Sequence, residues 1–254
     1  FHMWSPDVYE GAPTPITAFL STAPKAAALA VFLRVFGTAF HGLSVEWTGP
    51  LSFIAAASMI LGNIAALRQQ SLKRMLAYSS IAHVGYMLLG VLSMDTQGGA
   101  QAVWLYMLTY LLMQCGAFAV VIHLQGKGEG ERIEDLRGLG RRRPLLAFAM
   151  MVFMLSLAGV PPLVGFFSKF YLFKLAIEQG FTALTVVALL TSAVAAAYYL
   201  GVVNVMYFKE PSEREVAPLG TPMALIIGGA CALILFGTFF GPRLLDWAAL
   251  VSWI

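Results

Sequence analysis

The sequence predicts an all-α integral membrane protein, and three observations carry that expectation. Hydrophobic residues make up 59% of the 254 residues and charged residues only 11%, a balance suited to lipid rather than water. The apolar residues gather into seven long segments separated by polar turns. The basic residues crowd into the turns on one side of those segments, as the positive-inside rule expects of membrane helices.

Segment A covers 14–40, B 50–69, C 71–93, D 99–124, E 144–179, F 181–208 and G 221–240. A helix crosses the roughly 30 Å hydrocarbon core in about 20 residues. Segment E would be about 54 Å long as a straight helix. The pair Pro161-Pro162 divides it, because proline removes a backbone donor and clashes with the preceding turn. The spacing predicts one helix running to about Val160 and a second carrying Lys169. Segment A is also long, with Pro24 as its candidate break. The tail 243–254, with Trp247 and Trp253, reads as a short interfacial or truncated helix. The polar connection between D and E, GKGEGERIEDLRGLGRRRP, predicts a short surface helix at ERIEDLRGL.

Basic residues orient the helices. Side one, where segment A begins, holds Arg68, Lys73, Arg74, Lys127, Arg132, Arg137, Arg141, Arg142, Arg143, Lys209 and Arg214. Side two holds Arg34, Lys174 and Arg243. Eleven against three predicts that side one is cytoplasmic. The chain opens Phe-His-Met-Trp into the polar turn SPDVYEGAPTP, without an initiator methionine or signal peptide. The expectation is one transmembrane domain over 1–254, the downstream part of a longer subunit whose upstream helices are missing.

Several chemistries find no support. Cys115 and Cys231 have no CxxC spacing and stand in apolar stretches, which predicts packing rather than a metal site or disulfide. No dinucleotide fingerprint, Walker loop or haem-attachment motif occurs, so no cofactor is expected in this chain. No Ser/His/Asp or Cys/His set suggests covalent catalysis. The lipid bilayer is the partner that composition implies, and a nucleic acid is not expected.

Two lysines and one histidine stand out instead. Lys25 and Lys169 lie deep in segments A and E, Lys25 directly after Pro24 and Lys169 seven residues after Pro162. A charge near the bilayer centre costs several kcal/mol, so such residues usually face protein or a water path and handle ions or protons. A lysine at an interface can snorkel, but these two are too deep for that. Burial disfavours a lysine's charged form and a nearby carboxylate favours it, so a buried lysine can be switched where an arginine cannot. No carboxylate lies deep in any segment, so the expected acidic partner lies upstream or in a neighbouring subunit. His83 falls mid-way along segment C, where a histidine either relays protons or hydrogen-bonds between packed helices. Tyr78, Ser79, Ser80 and Tyr86 are its candidate partners. Tyr198, Tyr199 and Asn204 either line a wet path or anchor at the interface. Lys73 and Arg74 read as interface anchors, and Asp7 and Glu10 as caps for backbone groups in the opening turn.

Three stretches carry a family resemblance. FHMWSPDVYEGAPTPITAFLSTAPKAA, LKRMLAYSSIAHVGYMLLG and EDLRGLGRRRPLLAFAMMVFMLSLAGVPPLVGFFSKFYLF resemble the antiporter-like membrane subunits of respiratory complex I (NADH–quinone oxidoreductase). The VYEGAPTP turn followed by APK is most similar to the subunit N type, the counterpart of mitochondrial subunit 2. Multisubunit sodium/proton antiporters share the pattern and give the alternative reading. The resemblance implies half of a fourteen-helix fold of two inverted repeats, each with a broken helix. It implies that Lys25 is a central-axis lysine and Lys169 the lysine of the second broken helix, on an exit path to side two. It implies proton translocation coupled to redox chemistry in other subunits, sibling antiporter-like subunits as partners, and a bacterial inner membrane as location.

Overall fold

The computed structural model describes residues 4–94, 98–125, 131–212, 218–240 and 243. After a short helix α1 (Ser5–Gly11), helix α2 (Thr14–Arg34) passes into a π-helical turn, Val35–Ala39, and a 3-10 turn, His41–Leu43. Helices α3 (Ser44–Leu67), α4 (Leu72–Leu92) and α5 (Gly99–Gln125) follow. A 3-10 turn, Ile133–Leu136, and α6 (Leu139–Arg142) form the polar connection. Then come α7 (Pro144–Ala158), α8 (Val164–Glu178), α9 (Thr182–Phe208), α10 (Thr221–Phe236) and a final 3-10 turn, Gly237–Phe240. The described residues form no strand, only an isolated bridge between Ser71 and Arg132. Among the described residues, six helical spans are long and apolar enough to cross a membrane. The 15-residue helices α7 and α8 are each about 22 Å long and together make a seventh, interrupted crossing.

Segment E therefore breaks beside its proline pair, over residues 159–163. Segment A does not break. Helix α2 runs straight through Pro24, correcting the expectation there. Pro24 has no N–H for the Leu20 carbonyl four residues earlier. The Tyr9 hydroxyl donates to that carbonyl instead, at 3.1 Å, so the freed acceptor is satisfied and the helix continues.

Helix α4 is the hub. It is buried on nearly every side, its polar residues included, and it packs against α1, α3, α5 and α8. Gly62 and Gly85 allow the α3–α4 crossing: a Cβ would lie 2.8 Å from the Tyr78 carbonyl oxygen at the first and 2.9 Å from that of Ala55 at the second. Small residues of this kind let membrane helices approach backbone to backbone.

The helix ends on one side are tied together by polar contacts. Thr14 donates to Gln125, Leu72 N–H to the Glu131 carbonyl at 2.8 Å, and Lys209 to Glu134 at 2.5 Å. The starts of α2 and α4 and the ends of α5 and α9 thus share one face, side one. The surface helix expected at ERIEDLRGL is shorter. Gly138, in the left-handed region at φ 60°, separates the 3-10 turn from α6, and Asp135 accepts the Arg132 N–H at 2.9 Å. Asp7 and Glu10 do not cap backbone groups: their carboxylates lie 3.2 and 2.9 Å from Arg74. Cys231 is buried as expected, but Cys115 is exposed. The tail segment 243–254 lies outside the described residues apart from Arg243.

Candidate functional site

Lys25 and His83 are each the twelfth residue of a helix that starts on side one. At 1.5 Å per residue both sit about 18 Å along their helices. Lys25, partly exposed on α2, donates to the Ser80 hydroxyl, and its Nζ lies 5.6 Å from the centre of the Tyr9 ring. The neighbouring Ser79 shares a hydrogen bond with the Tyr199 hydroxyl. That hydroxyl is 3.2 Å from His83 Nε2, and the Tyr106 hydroxyl is 2.8 Å from His83 Nδ1. His83 is 1% exposed and bonded at both nitrogens, so each proton position on the ring has a partner. Tyr199 is buried in the chain of contacts, not at an interface.

Lys169 sits at the helix break, 4% exposed. Its ammonium donates to the Leu157 carbonyl at 2.8 Å, the Ala158 carbonyl at 3.2 Å and the Ser192 hydroxyl at 3.1 Å. The cause is local. In an unbroken helix the Leu157 and Ala158 carbonyls would accept from the N–H groups four residues on. Those residues are Pro161 and Pro162, which have none. Helix α7 instead closes at Gly159, with φ 86°. Gly159 N–H donates to Ser156 at 3.0 Å and Val160 N–H to Leu155 at 3.0 Å, a Schellman closure. It leaves the last two carbonyls free, at the end of a helix that favours a cation. A Cβ on Gly159 would lie 3.1 Å from Lys169 Cδ, so glycine serves both the turn and the approach of the lysine.

Tyr86 joins the two halves. Lys169 Nζ lies 5.2 Å from the centre of its ring, and the His83 ring meets it edge-on at 5.7 Å. The Tyr86 hydroxyl accepts from Asn63 at 3.0 Å and lies 3.4 Å from Thr191 Oγ1. Asn63 in turn accepts from Tyr198 at 2.9 Å. Lys25, His83 and Lys169 thus meet through hydroxyls and one aromatic ring, with no direct bond between them. Neither lysine pairs with a carboxylate among the described residues; carbonyls and hydroxyls hold them.

Two hollows flank this centre. On side one, a pocket of about 390 Å³ is lined by Glu10, Lys73, Arg74, Glu131 and Arg132. Lys73 is buried and points at the Glu10 and Ala12 carbonyls, at 3.4 and 3.3 Å. A groove of about 650 Å³ between α8 and α9 reaches from Lys169 and Ser192 to Lys174 and Glu178, which pair at 3.7 Å near the side-two end of α8.

Of the site, sequence reasoning missed Asn63, Tyr106 and Ser192. A lone asparagine in the apolar run of α3 was a signal available in the sequence. Tyr106 and Ser192 carried none, since hydroxyls on apolar helices are common. Asn204 takes no part in these contacts. No group of three or more metal-ligating side chains occurs among the described residues.

Comparison with known proteins places this architecture. The family described as NADH:quinone oxidoreductase/Mrp antiporter, TM, matches residues 1–195. The chain belongs to that family. It is a multi-pass membrane protein with the family's antiporter-like fold. A NADH-quinone oxidoreductase subunit N of Paramagnetospirillum magneticum is 48% identical over 236 residues, 92% of this chain and 48% of that protein. One of Trichlorobacter lovleyi is 49% identical over 241 residues, 92% of this chain and 49% of its own length. A chain of respiratory complex I from Thermus thermophilus superposes with a TM-score of 0.84 at 40% identity, over 97% of this chain and 54% of that one. A chain of the Mrp complex from a Dietzia species shares the fold alone, with a TM-score of 0.86 at 22% identity over 97% of this chain and 54% of that one. The chain spans about half the length of the relatives it matches.

Proposed function

We propose that this chain forms part of a proton-translocating membrane subunit of an NADH–quinone oxidoreductase, and that Lys25, His83 and Lys169 carry the proton. The observation that supports this most is the run of titratable and hydroxyl groups across the middle of the bundle. It passes from Lys25 through Ser80, Ser79 and Tyr199 to His83, and across Tyr86 to Lys169. Hydroxyls and a histidine can each accept a proton on one side and give one on the other. Rotation of a hydroxyl or entry of water bridges the remaining gaps.

In this reading a proton reaches Lys25 and His83 from side one, the cytoplasmic side of a bacterial inner membrane. It leaves from Lys169 along the groove between α8 and α9 towards Lys174 and side two. Redox chemistry belongs to other subunits, and no cofactor is assigned to this chain. Sibling antiporter-like subunits and the bilayer surround it. The relatives named subunit N, at 48–49% identity, support the oxidoreductase over a sodium/proton antiporter, whose representative shares 22%. The test is proton uptake by vesicles holding the assembled complex. Lys25→Ala should lower proton translocation more than it lowers assembly; unchanged translocation with normal assembly removes Lys25 from the route.

A further inference from the structure

Gln114 is buried completely in α5, yet neither its amide nitrogen nor its amide oxygen has a hydrogen-bond partner in the protein. A buried amide left so is destabilising, and buried polar groups are almost always satisfied. Its place on the helix is defined. Tyr110 lies one turn before it and donates to the Ser21 carbonyl of α2 at 3.4 Å. Gln125 lies eleven residues after it, three turns on and nearly the same face, and accepts from Thr14 of α2. Gly116, on the opposite face, meets the Phe153 ring of α7. Helical phase therefore puts Gln114 on the flank of α5 that Tyr110 and Gln125 share, toward α2 between the levels of Ser21 and Thr14. The α2 residues there are small or polar: Thr17, Ala18 and Ser21.

We propose that Gln114 holds an internal water in the seam between α5 and α2. The chemistry of the amide selects the ligand. Its nitrogen can only donate and its carbonyl oxygen can only accept. A cation would satisfy the oxygen alone and an anion the nitrogen alone. Water does both, and buried waters typically make about three bonds to polar groups left otherwise unpaired. The site lies one turn to the side-one flank of Tyr110, whose ring lies tilted against that of His83 with centres 5.1 Å apart. Given the proton route proposed above, this water stands on its input side, between the Lys73 pocket and the polar centre.

Hydroxyl-radical footprinting of the full-length protein in its native membrane tests the site without reference to pumping. Radicals formed from bound water mark side chains beside that water even when bulk solvent cannot reach them. Phe118, one turn after Gln114 and fully buried, should be marked on the millisecond scale, while the equally buried Phe153 on the other face should not. In Gln114→Leu the Phe118 mark should fall to the Phe153 level. Phe118 marked no more than Phe153 in the native protein overturns the water site, and so does a Phe118 mark that survives Gln114→Leu. The native comparison needs no variant to fold. A missing mark with translocation still dependent on Lys25 removes the water site and leaves the proton route standing. A mark that depends on Gln114 beside an inert Lys25 does the reverse.

Discussion

The Lys169 ammonium donates to the Leu157 carbonyl at 2.8 Å, an acceptor that is free because Pro161 has no N–H to offer it. The Ala158 carbonyl stands in the same relation to Pro162 and also accepts from Lys169. The two prolines thus do more than end a helix: they create the site that holds the cation. Three acceptors, with Ser192 the third, match the three donors of an ammonium group. Release of a proton requires one of these bonds to open. Ser192 is the movable partner, since the two carbonyls are fixed in the backbone.

That arrangement makes Gly159 sensitive on two counts. Its φ of 86° costs an alanine roughly 1 kcal/mol or more. The new Cβ would also press on Lys169 Cδ from 3.1 Å. Gly180 has the same φ with nothing within 4 Å of a Cβ, so Gly180→Ala carries the backbone cost alone. Thermal unfolding in lipid nanodiscs should show Gly159→Ala as the more destabilised variant, by about 1 kcal/mol for the added overpacking. Equal losses would mean that Lys169 does not press on that turn.

Much of this was legible in the sequence. The break in segment E followed from its length and its prolines, and Lys25, His83 and Lys169 stood out by charge in apolar runs. Pro24 looked like an equal break because sequence shows the carbonyl that proline frees but not what meets it. Tyr9, eleven residues before Leu20, supplies that bond only once α1 folds back on α2. The partners of His83 were misassigned for a related reason. Its sequence neighbours were the visible candidates, but its nitrogens reach Tyr106 and Tyr199 on α5 and α9. Those helices come beside α4 only in the packed bundle.

Tyr199 is the hydroxyl that joins Ser79 to His83. Tyr199→Phe keeps the ring and removes the link. The lost bonds should cost about 1 kcal/mol of stability, leaving assembly normal, while proton translocation falls. Vesicle acidification measured beside immunoblots of the assembled complex checks both. Normal translocation would show that protons pass the Ser79–His83 gap without this hydroxyl.

On the side-one surface, the Lys209 hydrogen bond holds the Glu134 carboxyl below the usual carboxylate range. A depressed folded value contributes stability above the unfolded value, near 4.3, and that contribution is lost as pH falls through the folded value. Glu134 is well exposed and Lys209 about a third exposed, so the effect on overall stability is small. Carboxyl-carbon NMR should show Glu134 titrating below an ordinary glutamate, and Lys209→Met should move it up toward the ordinary range, with Arg137 at 3.6 Å still holding it somewhat down. An unchanged midpoint in that variant would assign the shift to another group.

The central claim is that Lys169 exchanges a proton rather than supplying a fixed charge, and Lys169→Arg tests it most directly. Arginine keeps the positive charge but does not release its proton in proteins. The measurement is proton translocation by reconstituted vesicles of the assembled complex, with assembly quantified separately. The account predicts that Lys169→Arg assembles but translocates protons about a hundredfold more slowly or worse, as when a proton-transfer group is lost, and that Lys169→Ala is impaired at least as much. Full translocation by an assembled Lys169→Arg complex would contradict it, because a fixed charge at the helix break would then suffice.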